Sequence, residues 1–180
     1  LINAYNAFTI ELILSAYPDI ESIRDLGGLL TSAWKKRFFH LLGQERHLDD
    51  VEHGLLRGAP GFDEPRIHFA VNCASVGCPA LRPGAFRAAT LEAQLEDQTR
   101  RFLSDRTRNY LDRSENVLYL SSIFDWYGDD FSKGHRGADR LEVFLSRYAQ
   151  ALGLSDAEAK GLTAGAYEID FLDYDWSLNN

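Results

Sequence analysis

Residues 65–83 read PRIHFAVNCASVGCPALRP, and the reading of this stretch decides the fold class. Ile67, Phe69 and Val71 alternate with His68 and Ala70 at a period of two, which predicts a buried strand. The strand gives way to Ala74, Ser75 and Gly77, small residues that let backbone approach backbone. Both cysteines of the chain, Cys73 and Cys78, fall in this turn, with His68 a strand-length before them. A buried strand that delivers His and Cys into a tight loop holds reactive groups on a rigid base. This stretch marks the candidate site.

Toward the N-terminus, residues 1–17 predict a helix, with Tyr5, Phe8, Leu12 and Ile13 at helical spacing and Pro18 after its end. Asn3 and Asn6 share one face of it, where polar amides satisfy backbone groups of a neighbouring loop or orient a catalytic base. RFFHLL and ERHL flank Gly43-Gln44 as a short hairpin, with His40 and His47 as surface residues. Asp49 is placed to cap a helix running DDVEHGLLRG, which carries Glu52 and His53 and closes at Gly58. A loop with Pro60, Gly61 and Pro65 leads into the quoted stretch.

Toward the C-terminus, Thr90 caps an amphipathic helix, LEAQLEDQTRRFLSD, with Leu91, Leu95, Phe102 and Leu103 inward. TRNYLDRSENVLYLS predicts a second hairpin turning at Ser114–Asn116, and SSIFDWYGDDF one or two helical turns. A helix over residues 138–150, a short one capped by Ser155, and a final strand in AYEIDFLDYDWSLNN with a polar tail complete the chain. The sum is an α+β fold: a single globular domain over residues 1–180, with an antiparallel or mixed sheet, β-hairpins and several packing helices.

Composition narrows the function. The 180 residues carry a formal charge of −8, the wrong sign for a phosphate-backbone footprint, so no nucleic-acid partner is expected. No apolar run approaches the roughly 20 residues that span a bilayer. Two cysteines are no disulfide framework, and a Cys73–Cys78 bridge would close only a small loop. The first residues, LINAYNAFTIELIL, start in mid-pattern without a capping residue, so an upstream segment is expected.

With INAYNAFTI, DDVEHGLLRG, RIHFAVNCASVGCPALRP and FLDYDWSLNN in this order, the chain resembles the domain-of-unknown-function family numbered 547. The resemblance covers most of the chain. The family's usual form begins a little earlier, with an aromatic residue before the INAYNA-like helix. It implies a widespread domain, found in bacteria alone and in exported proteins and in eukaryotes fused to other modules. A periplasmic or secreted location follows from that resemblance only. The family brings no established reaction, so the chemistry rests on the residues.

Three chemistries compete. A thiol enzyme needs a thiolate, a base and a group that orients the base. Cys78, followed by Pro79, is placed for the N-cap of a helical turn and is the candidate nucleophile. His53 or His68 is the base, with Glu52 and Asn6, or Asn3, as orienting groups. Amide or thioester hydrolysis or transfer on a small-molecule or peptide-like substrate follows, with no cofactor. The rival is a non-enzymatic binding or scaffold domain in which Cys73 and Cys78 form a structural disulfide, or a zinc site with His68 and His53. The third is a carboxylate site for sugar or calcium, from Asp125, Asp129 and Asp130 beside Trp126 and Tyr127, and Asp173 and Asp175 beside Tyr174 and Trp176.

Overall fold

In the computed structural model, which describes residues 1–28, 30–58 and 63–179, the first helix, α1 (Ile2–Leu14), buries Ile2, Tyr5, Asn6, Thr9 and Leu12. These positions share one helix face; of the predicted apolar set, Tyr5 and Leu12 are buried on it, while Phe8 and Ile13 are half-buried. Contacts divide the chain into two units, one of Leu1–Phe62, Phe69–Glu92 and Asp175–Asn180, the other of Asp63–His68 and Ala93–Tyr174. The predicted loop at Pro60–Gly61 lies outside the described residues.

The first unit holds α1, the hairpin β1 (Phe39–Leu41) and β2 (Gln44–Arg46), and a π-helix, Asp50–Leu56. Leu41 pairs with Gln44, so the hairpin turns at Leu42-Gly43, one residue earlier than predicted. Both turn residues have positive φ, 53° and 76°, which matches the twist of the flanking strands. The π-helix buries Val51, Glu52 and Leu56 and packs against α1. Its wide turns show in the bond from Arg57 N–H to Glu52 O, five residues back. Asp49 precedes this helix without a side-chain capping bond. The turn is instead closed by Asp50, whose carboxylate accepts from His47 N–H while its own N–H donates to His47 Nδ1. Gly58 ends the helix as expected: a Cβ there would lie 2.7 Å from His53 O.

The second unit is a mixed three-stranded sheet packed by helices. Strands β3 (Tyr110–Asp112) and β4 (Val117–Ser121) form the predicted hairpin, with Asn116 at φ 58°. The final strand β5 (Glu168–Leu172) joins β4 in parallel, which requires a crossover. That crossover is the run α3 (Ile123–Trp126), the 3₁₀ turn Gly128–Ser132, α4 (Leu141–Ser146) and α5 (Asp156–Thr163). Ser155 caps α5 in a reciprocal box with Glu158, as the sequence signals. Phe124, Phe131 and Phe144 pack in a tilted series with centroids 4.9 Å apart and fill the core beside Phe102 of α2 (Leu91–Leu103). Leu118 and Leu120 of β4 are fully buried with them. The fold class is therefore α+β, with a small antiparallel sheet and a mixed sheet.

One prediction fails outright. Pro65–Phe69 is a 3₁₀ helix, not a strand. Residues 65–72 are all buried, so the alternation in sequence reflects no one-sided surface. Pro65 presets a helical φ at the first position, and Ile67 N–H closes the turn on Glu64 O.

Candidate functional site

The cysteine turn is built backbone-first. Asn6, on the buried face of α1, donates from Nδ2 to Ala70 O at 2.9 Å and accepts Asn72 N–H at 2.8 Å. Asn72 repeats the device within the loop, donating to Pro79 O and accepting Ala74 N–H, both at 2.8 Å. That Asx turn carries Ala74 into the left-handed region at φ 61°. Asn3 clamps Phe86 in the same two-handed way, at 2.8 Å each. These amides hold loops, the backbone-satisfying role that their position on one helix face suggests.

The segment predicted as a polar tail does similar work. Val76 N–H donates to Ser177 O, Gly77 N–H to Asp175 O, and Asn179 N–H to Ala74 O. Ser75 and Leu178 form an antiparallel bridge. The turn is thus fixed from α1 on one side of its sequence and from residues 175–179 on the other.

Within this frame Cys73 and Cys78 are bonded to each other, leaving no free cysteine in the chain. Cys78 is 4% exposed and Ser75 fully buried, whereas Cys73 is half-buried. The Cys78 sulfur lies 2.8 Å from Cys73 N–H and 3.4 Å from the Ser75 hydroxyl, which both donate to it. No helix starts at Cys78, the next one beginning at Ala88, so the predicted N-cap is corrected. Pro79 and Pro83 bring no N–H groups, and Pro79 O is held by Asn72. The donors to the sulfur come from the turn itself.

The predicted base and orienting residues occupy different surroundings. Glu52 is buried and His53 exposed, although they are neighbours on the π-helix. Arg57 reaches His53 Nδ1 at 2.7 Å, and Asp49 lies 3.9 Å from Nε2. Arginine only donates, so Nδ1 of His53 is the acceptor and its lone pair is in use. In the second unit, His68 is 2% exposed, and its Nε2 meets the Asp130 carboxylate at 2.9 Å. Its ring stacks on Tyr127 at 3.9 Å between centroids. A carboxylate on one nitrogen fixes the tautomer and makes Nδ1 the basic nitrogen. Lys133 holds the other Asp130 oxygen at 2.6 Å. Sequence reading missed this His68–Asp130 pair because 62 residues separate the partners. Its only signal was the Asp-Asp beside Tyr127 in FDWYGDDF.

Among the described residues no three His, Cys, Asp or Glu side chains gather as metal ligands, and sulfurs bonded to each other present no thiolate for zinc. In the aromatic-acidic segments the rings and the Asp175 carboxylate have partners of their own. Trp126 packs on Tyr174, Trp176 on Trp34 with Arg24 over its ring, and Asp175 accepts from Ser177. Those Ser177 bonds, side chain and backbone, hold the exposed Asp175 carboxyl below its usual range. Among the described residues no helix is long and apolar enough to cross a membrane.

No curated protein and no solved structure matches the chain. A family model, "Protein of unknown function, DUF547", matches residues 1–103 and thus α1, the π-helix and the cysteine turn. The chain belongs to the DUF547 family.

Proposed function

We propose that this DUF547 domain is a cysteine-dependent hydrolase or acyl transferase held in a bridged resting form. Reduction of Cys73–Cys78 frees Cys78 as nucleophile. An external dithiol supplies two electrons and two protons, becoming a disulfide while Cys73 and Cys78 become thiols. The Cys78 thiolate then attacks the carbonyl carbon of an amide or thioester. The C–N or C–S bond breaks, the leaving group takes a proton, and water or a second acceptor releases the acyl group and restores the thiol.

The observation that carries this reading is the pair of donors at the Cys78 sulfur, Cys73 N–H and the Ser75 hydroxyl. Donors fixed in a buried frame favour the thiolate over the thiol. Asn6 is a positioning residue here, since it holds the loop that leads to Cys73. His53 and His68 remain the two candidate proton acceptors; within its own unit His68 is oriented by Asp130, and within the cysteine unit His53 accepts from Arg57 at Nδ1. Glu52 and His53 are tested alongside.

A second reading rests on the bridge itself: a binding or scaffold domain that keeps Cys73–Cys78 as a structural disulfide. The rate of alkylation by iodoacetamide separates the two. After mild reduction, the hydrolase reading expects Cys78 to react at pH 6 and the rate to fall in His68→Ala or His53→Ala. A bridge that yields to reductant only when the protein unfolds would end the enzyme reading and leave the scaffold.

A further inference from the structure

The second unit contains a cavity of about 250 Å³ whose chemistry the cysteine site does not use. Its apolar lining is Phe144 and Tyr148, both buried. Arg100, Arg136 and Arg147 supply its charge, with Glu96 as the lone carboxylate in the lining and His135 beside them. Three guanidinium groups around one small cavity are unexpected in a chain of net charge −8.

The charges there do not cancel. Glu96 is shared by Arg100 at 2.8 Å, Arg66 at 3.4 Å and the Tyr148 hydroxyl at 2.9 Å. Glu64 is held by Arg66, with His135 3.7 Å away. In the lining itself three arginines (100, 136 and 147) stand against one glutamate (96), a formal excess of two positive charges with the histidine left out of the count. The Arg147 guanidinium makes one hydrogen bond among the described residues, a 3.4 Å contact to His135 O.

Backbone geometry points the same way. Arg136 sits in the left-handed region at φ 52°, between Gly134 at 94° and Gly137 at 81°. A long side chain is disfavoured there, and such outliers collect at ligand-binding positions. The loop closes tightly through Gly137 N–H to Gly134 O and Gly134 N–H to Ala138 O. Arg136 is therefore presented on a short, self-bonded turn.

We propose that this cavity binds the phosphate group of a small phosphorylated compound carrying an aromatic or other apolar portion. A phosphate monoester near neutral pH carries close to two negative charges, which matches the excess. Guanidinium forks suit its oxygens, and the Phe144 and Tyr148 rings suit the organic portion. Tyr148 stays protonated and adds no negative charge to the cavity, because burial and then its bond to Glu96 push its hydroxyl up to about 12.

Titrating the intact domain with phenyl phosphate, inorganic phosphate and benzoate, by calorimetry and by amide shifts, tests this. The expected result is saturable binding of phenyl phosphate, weaker binding of inorganic phosphate and weakest binding of benzoate, with shifts concentrated at residues 135–148. Arg136→Ala and Arg147→Ala should each weaken phenyl phosphate by about tenfold, as loss of a charge-assisted bond does. Arg147→Lys should keep part of that affinity, and Arg113→Ala all of it. Both alanine positions are exposed, and a far-ultraviolet spectrum checks the fold of each variant. Absence of saturable phosphate binding, or an affinity in both alanine variants equal to that of the unaltered domain, overturns the site. Benzoate binding as tightly as phenyl phosphate overturns the phosphate assignment.

Discussion

The cysteine turn and the Arg66 cluster are both buried polar constructions, but they are satisfied by opposite means. Around the cysteines every named bond is neutral: two asparagine amides, a serine and backbone groups. Around Arg66, which is 1% exposed, the bonds join full charges on Glu64 and Glu96. Neutral clamps set backbone shape at modest cost per bond, whereas a buried charge depends on every partner being present. A turn that must hold a sulfur in one place uses the first device. A cluster beside an anion-binding cavity uses the second.

Removing Arg66 should be the harshest break in this comparison. Arg66→Ala leaves two glutamates without their shared partner and should cost about 3–5 kcal/mol of stability. Urea denaturation measures it, and a loss below about 1 kcal/mol would mean that the cluster is held by other bonds. Asn6→Ala strands Ala70 O and Asn72 N–H in a buried site and should cost about 2–4 kcal/mol. In the neutral turn this loss should be insensitive to salt.

The same denaturation series tests whether the units fold together, as we expect for a single domain. The chain passes from one unit to the other at 62/63, 68/69, 92/93 and 174/175, so neither unit is one continuous segment. Trp34 and Trp176 report the first unit and Trp126 the second, and single-tryptophan variants should unfold at one midpoint. Two separate midpoints would give two folding units.

The smallest effect lies on the exposed rim of the second unit. Bonds from Arg113 and then from Ser155 hold the Glu158 carboxyl at about 2, against an ordinary 4.5. A depressed folded-state value contributes stability above the ordinary value, and that contribution is lost as pH falls from about 5 toward 2. Glu158→Gln should flatten the thermal midpoint across that window. An unchanged acid slope would show that the α5 cap carries none of it.

Sequence periodicity located α1, both hairpins and the helices after residue 90, because each of them has one wet and one buried face. It failed at Pro65–Phe69, where every side chain is buried and no face contrasts with another. Among site residues, the clamp by Asn6 and the bridge between the cysteines were legible as options, since both depend on short spacing or on a helix face. Asp130 as the partner of His68 was not, because no local pattern links positions 62 apart. The role of residues 175–179 was hidden for the same reason: their polar composition resembles a tail, yet their backbone completes the cysteine turn.

That last feature bears on biosynthesis. The bonds from Val76, Gly77 and Asn179 that finish the turn need residues 97 or more positions after Cys78 to have been made. At about 5–20 residues per second of synthesis, the two thiols wait roughly 5–20 s in an unfinished loop. During that interval oxidants, reductants and foreign thiols meet them with fewer constraints than they do afterwards. The redox state in which the turn is closed is therefore set by the compartment the nascent chain occupies, before the fold takes control of it.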